Sequence, residues 1–178
     1  MTGGFGREEI IGLLSELAAE LDRQGVHADV FLVGGAALAV AYDARRTTRD
    51  LDATFAPTEV VRAAAAVVAE RHGLSLDWFN DAVKGFLCGE DPDARRFFSA
   101  PGISVDVASP RYLLAMKLFS SRVESDTDDI KFLYRLVGFS TVEEGLNLVE
   151  QAYPSRSIQP KVQYLLEEIV ASMRSENI

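Results

Sequence analysis

Two aspartates separated by one residue, Asp50 and Asp52, are the residues with the clearest chemical potential in this sequence. They open the run Asp50-Leu51-Asp52-Ala53-Thr54-Phe55, which reads as the start of a β-strand. Residues i and i+2 of a strand point to the same face, so both carboxylates can aim at one point. Two convergent carboxylates are a natural seat for Mg²⁺. The competing reading is structural: turn or strand-edge carboxylates paired with Arg45 or Arg49. Upstream, the β-forming run Val30-Phe31-Leu32-Val33 ends in Gly34-Gly35, and an alanine-rich segment of helical character follows. A glycine pair there makes a tight strand-to-helix turn, which is compatible with phosphate approach to backbone N–H groups.

Further along lies Asp106, in Ile103-Ser104-Val105-Asp106-Val107. It interrupts an apolar strand-like run, where an unpaired buried carboxylate is costly. A metal would remove that cost, and so would alternation toward solvent. Lys117 stands among Leu113, Leu114, Met116 and Leu118 on an apolar helix. Asp126 and Asp129 follow Arg122 at helical spacing. Their structural reading is acidity complementing a helix N-terminus plus an ion pair, with Asp126 as a possible N-cap.

The glycine turn after a strand, followed by Asp50-x-Asp52 on the next strand, resembles the DNA polymerase β-type nucleotidyltransferase signature. It most resembles the toxin branch related to AbiEii and the MenT toxins. The resemblance covers roughly residues 30–135 and includes the helical Lys117 and the downstream Asp129. It implies that Gly34 and Gly35 hold a nucleoside triphosphate, with Asp50, Asp52 and Asp106 binding the catalytic Mg²⁺ (or Mn²⁺). Lys117 and Arg49 would neutralise phosphate charge, the usual cationic role in phosphoryl transfer, with Asp129 as a further catalytic residue. One position departs from the pattern. Many members carry Ser after the glycines, and its hydroxyl helps hold the triphosphate; here the residue is Ala36.

The chain has 178 residues, 48% of them hydrophobic and 25% charged, which is enough for a core of its own. Its net charge of −9 argues against bulk, sequence-independent nucleic-acid binding. A local basic patch from Arg45, Arg46 and Arg49, or from Arg95, Arg96, Lys117 and Arg122, remains compatible with that charge. Cys88 is the single cysteine, with no base in view to make it a nucleophile; His27 and His72 fall at helix ends without ligand spacing. Met1 to Gly6 has no signal-like pattern and no apolar run approaches a membrane span of ~18 residues. A cytoplasmic protein with no membrane partner is expected.

The elements that must position these residues are readable in outline. A helix is expected over Glu8–Gln24, strands over Val30–Val33 and Leu51–Phe55, and a helix over Glu59–Arg71 capped by Thr58 and stopped at His72-Gly73. The run Val30–Val33 reads as a strand covered on both faces, and Asp77–Leu87 as another short helix. Arg96–Ser99 and Ile103–Val107 form an expected hairpin around Pro101-Gly102. Helices follow over Arg111–Arg122, Asp126–Val137, a segment opened by the Thr141/Glu144 capping box, and Pro160 to about Arg174. The fold class is therefore α+β: a small mixed β-sheet core with a helical C-terminal half. Residues 1–178 are expected as one nucleotidyltransferase-like domain, with the α/β core over 1–109 and the helical half over 110–178.

The expected activity is transfer of an NMP from an NTP to an acceptor hydroxyl. The toxin resemblance implies a tRNA 3′ end as acceptor and an antitoxin protein as partner. Two other readings use the same residues. Ala36 favours a binding module that keeps the fold without the chemistry, and the acidic surface favours an aminoglycoside-type adenylyltransferase with a cationic acceptor.

Overall fold

The computed structural model describes residues 4–120 and 123–176. They fall into two compact units: residues 1–85 with 93–108, and residues 86–92 with 109–178.

The first unit is built on a five-stranded mixed sheet of order β3-β2-β1-β5-β4. Its elements run α1 (Arg7–Arg23), β1 (Ala28–Leu32), α2 (Gly34–Ala37), β2 (Leu51–Ala56), α3 (Thr58–His72), β3 (Phe79–Asn80), β4 (Arg95–Ala100) and β5 (Ile103–Val107). One face of the sheet is closed. Val30, Leu32, Leu51, Ala53, Phe55, Ile103, Val105 and Val107 are buried there, together with Leu14, Leu17 and Leu21 of α1 and Val61, Ala64 and Val68 of α3. The other face carries Asp29, Phe31, Asp52, Thr54 and Asp106, which are exposed or half-buried. β1 is therefore not the doubly covered strand expected from its apolar run: its burial alternates, because only alternate residues meet α1 and α3.

The hairpin forms as expected, with Ala100 opposite Ile103. Gly102 has φ +87° at its turn, and a Cβ there would stand 2.7 Å from Asp22 N of α1, so only glycine fits. Two expectations need correction. Thr58 does not cap α3; it is the first helical residue, with Pro57 before it, and its hydroxyl donates to the Phe55 carbonyl at 3.1 Å. The segment after α3 is not a helix over Asp77–Leu87. Trp78 is buried and donates to the Ala65 carbonyl at 3.0 Å, and Phe79 stacks on Phe55 at 5.0 Å. That anchoring extends Phe79–Asn80 into β3, paired in parallel with β2, between two short 3₁₀ turns.

The second unit holds four helices: α4 (Pro110–Ser120), α5 (Val123–Val137), α6 (Val142–Ala152) and α7 (Pro160–Ser175). The Thr141/Glu144 capping box is present, with Thr141 N donating to Glu144 Oε2 at 2.9 Å. Asp126 lies inside α5, not at its N-cap, because that helix begins at Val123. Arg122 lies outside the described residues. A Cβ on Gly145 would stand 2.1 Å from Tyr134 Oη, so the Tyr134 side chain of α5 packs directly on the bare backbone of α6. Among the described residues no helix is long and apolar enough to cross a membrane.

Candidate functional site

Gly34 and Asp52 form the centre of the site. β1 ends at Leu32, and Val33 N still bonds to the Asp52 carbonyl at 2.9 Å, so β2 runs alongside the turn. Gly34 has φ +61°, a left-handed conformation that glycine adopts without strain. A Cβ built on it would stand 3.1 Å from Asp52 Oδ2. The carboxylate thus lies directly against a stretch of backbone bare of side chain. Gly34 and Gly35 form the turn from β1 into α2 and are its first two residues; the helix continues through a π-helical turn over Leu38–Tyr42.

The basic loop is tied down around the same point. Phe5 and Thr48 exchange backbone hydrogen bonds of 2.6 and 3.0 Å. Thr48 Oγ1 donates to the Asp50 carbonyl at 3.0 Å, and it would stand 2.9 Å from a Cβ on Gly35. Arg45 pairs with Asp43 at 3.2 Å and Arg46 approaches the same carboxylate at 3.5 Å. The partner expected for Asp50 or Asp52, Arg45, is therefore engaged by Asp43, which is held below the usual carboxylate range chiefly by its hydrogen bond from Arg45. Arg49 is exposed, and Asp50 is half-buried one residue before β2.

Asp106 shares the half-open face with Asp52. It is level with Phe31 of β1, while Asp52 lies on the far side of β1, on β2. Their backbones are thus two strand spacings, roughly 10 Å, apart laterally. Asp106 is gripped from the neighbouring strand: Arg96 Nε donates to Oδ1 at 2.5 Å and Nη2 to Oδ2 at 3.4 Å. Among the described residues no group of three or more His, Cys, Asp or Glu is placed to hold a metal ion. Asp106 is on the right face, but it is not gathered with Asp50 and Asp52 into one ready-made cluster.

In the second unit, the Lys117 ammonium contacts Asp126 at 2.8 Å and Asp129 at 2.7 Å. Its side chain is only 19% exposed. Burial works to lower its pKa, but the two carboxylates outweigh that and hold it above the ordinary lysine value. Burial pushes the Cys88 thiol up in spite of hydrogen bonds with Tyr153 and Tyr112, which disfavours the thiolate. His27 contacts Ser104 Oγ at 2.9 Å and His72 contacts Glu16 at 2.6 Å, both consistent with structural roles.

Several residues of the site were not singled out by spacing. Thr48 brings to the glycine turn a hydroxyl, which the methyl group of Ala36 lacks. The Thr47-Thr48 pair just before the aspartates was its only signal. Asn80 lies beside Asp52 in the β2–β3 register, which no local pattern announces.

A mixed sheet that presents carboxylates on its half-open face, with a glycine turn pressed against one of them, is consistent with a nucleotidyltransferase-like core. The chain belongs to the family described as nucleotidyltransferase of unknown function (DUF6036), which matches residues 9–147. No curated protein and no solved structure matches the chain.

Proposed function

We propose that the protein is a metal-dependent nucleotidyltransferase that moves an NMP from an NTP to an acceptor hydroxyl. The observation that carries the proposal is the Asp52 carboxylate on the half-open face against the bare Gly34 backbone, two residues after Asp50. The family description supports the same class.

The donor set fits a hard divalent cation. Mg²⁺ is usually held by one or two carboxylates together with waters and substrate phosphates, so a complete protein cage is not required. Asp50 and Asp52 would hold it, or Mn²⁺. When bound, the ion would supply charge neutralisation on the triphosphate and a lowered pKa at the acceptor hydroxyl. Gly34 and Gly35 keep side-chain volume away from the turn, so phosphate oxygens can approach the backbone. Thr48 offers a hydroxyl there in place of the serine replaced by Ala36. Exposed Arg49 adds positive charge just before the aspartates. Asp106 is the group proposed to take the acceptor proton or to complete the metal site.

In residue order the chain resembles the toxin branch related to AbiEii and MenT. On that basis the proposed acceptor is a tRNA 3′ end and the proposed partner an antitoxin protein. Lys117 and Asp129 enter the proposal through that resemblance alone. The net charge of −9 favours a second reading, an aminoglycoside-type adenylyltransferase with a cationic acceptor.

Incubation with each α-labelled NTP, Mg²⁺ and either tRNA, protein or an aminoglycoside tests this. Label on tRNA, lost in Asp52→Asn, is expected. Label on the aminoglycoside alone would favour the second reading. NTP binding with no transfer to any acceptor would mark a binding module and overturn the catalytic proposal.

A further inference from the structure

Arg96, paired with Asp106, is the feature of the half-open face that the proposed chemistry does not use. β4 and β5 pair in simple hairpin register from Ala100–Ile103 through Phe98–Val105. Continued unchanged, that register would bring Phe97 opposite Asp106. A bulge between Arg96 and Phe98 shifts it by one residue and brings Arg96 opposite instead. Phe97 is turned to stack under Arg7, whose guanidinium carbon is 5.7 Å from the ring centroid. Both Arg96 and Asp106 remain partly open to solvent, with side-chain exposures of 52% and 40%.

A guanidinium that contacts both oxygens of a carboxylate takes one acceptor position on each and offsets its charge. In that state Asp106 is a poorer ligand for a divalent cation. A guanidinium is equally suited to a phosphate, whose oxygens it can grip in the same fork geometry.

We propose that Arg96 is a positioning residue that holds Asp106 back from the metal site, and that it releases Asp106 by transferring to the polyphosphate of an incoming nucleotide. The pair thereby makes the third carboxylate available only when nucleotide is bound. This rests on the nucleotidyltransferase reading of Asp50 and Asp52, and its consequence is visible in metal binding by the protein without nucleotide. Like charges repel, so a guanidinium held against Asp106 opposes the approach of a metal ion to that carboxylate. Removing it should therefore tighten metal binding on the order of tenfold.

The experiment is Mn²⁺ titration followed by electron paramagnetic resonance, with no nucleotide present, on wild type, Arg96→Gln, Asp106→Asn, Arg96→Gln/Asp106→Asn and Asp52→Asn. Circular dichroism checks that each variant is folded. The expected result is that Arg96→Gln binds Mn²⁺ about tenfold more tightly than wild type, and that the gain disappears in the double variant. Equal affinity of wild type and Arg96→Gln overturns the proposal. A gain that persists without the Asp106 carboxylate also overturns it, since the effect is then one of general charge. Asp52→Asn separates the two readings. If it leaves Mn²⁺ binding intact, the metal site itself is misplaced. If it abolishes binding while Arg96→Gln changes nothing, only the role of Arg96 falls.

Discussion

Gly34 and Asp52 are packed so closely that the glycine's missing side chain is part of the site: a Cβ would stand 3.1 Å from Oδ2 of Asp52, on a residue with φ +61°. Gly34→Ala must therefore accept a left-handed conformation and push against the carboxylate at once. The left-handed backbone costs about 1–2 kcal/mol for a residue with a Cβ. A loss of that size in urea-melt stability is expected, together with weakened Mn²⁺ binding. An unchanged melt would show that the turn relaxes at no cost.

Asp52→Asn should behave in the opposite way. It keeps the shape of the side chain and removes one negative charge from a region that also holds Asp50. Nucleotide transfer should fall by at least two orders of magnitude, in the range seen when a key electrostatic contact is removed. Thermal stability should be unchanged or slightly raised. If Asp52→Asn instead unfolds the protein, Asp52 is a structural anchor and the site reading is wrong.

Much of this architecture was legible because it rests on local signals. The Pro101-Gly102 turn, the Thr141/Glu144 box and Pro160 each dictate backbone geometry within a few residues, and each element begins or turns where those residues stand. Asp52 likewise falls at the start of the expected strand, as the second residue of β2, with Asp50 one residue before that strand. What was not legible depended on distant partners. Phe79 extends into a strand only because Phe55 and α3 wait for it and its Trp78 neighbour. β1 looked doubly covered because Val30, Phe31, Leu32 and Val33 are all apolar, yet half-buried Phe31 faces the same side as Asp52 and Asp106. The partner of Asp106 was hidden by a single bulged residue, which no turn signal encodes. Lys117 stood in an apolar helix with its two carboxylates nine and twelve positions away, beyond any helical spacing.

Acid stability offers a third test. Glu20 of α1 has a side chain only 2% exposed and is held by Arg23, by Gln24 at 3.0 Å and by Arg71 of α3 at 2.9 Å. The Arg23 hydrogen bond first, then Gln24 and Arg71, outweigh burial and lower its pKa from 4.5 to about 2. A carboxylate depressed in the folded state stabilises the fold above its unfolded pKa, and the contribution is lost as pH falls toward the folded value. Wild type should therefore lose melting temperature between about pH 5 and pH 2. Glu20→Gln should melt lower at pH 7 and show a flatter profile across that window. Parallel profiles would show that Glu20 does not link α1 to α3 through its charge.

Lys117 yields the last prediction. Its ammonium is 2.8 Å from Asp126 and 2.7 Å from Asp129, and its side chain is largely withdrawn from water. Lys117→Met preserves the apolar stem's packing but takes away the cation that both carboxylates share. Removing one member of a fully buried pair costs about 3–5 kcal/mol; these side chains keep some exposure, so a loss of about 2 kcal/mol is expected. Replacing a carboxylate at the same time should reverse much of it. Lys117→Met/Asp129→Asn is thus expected to regain more than half of the stability lost in the single variant, a coupling that a double-mutant cycle in urea reads directly. Recovery would mark the cluster as an electrostatic unit that sets the charge of α4 and α5. A single variant as stable as wild type would mean that the ammonium contributes nothing to holding those helices, and the three charges would then have to be explained by something they bind.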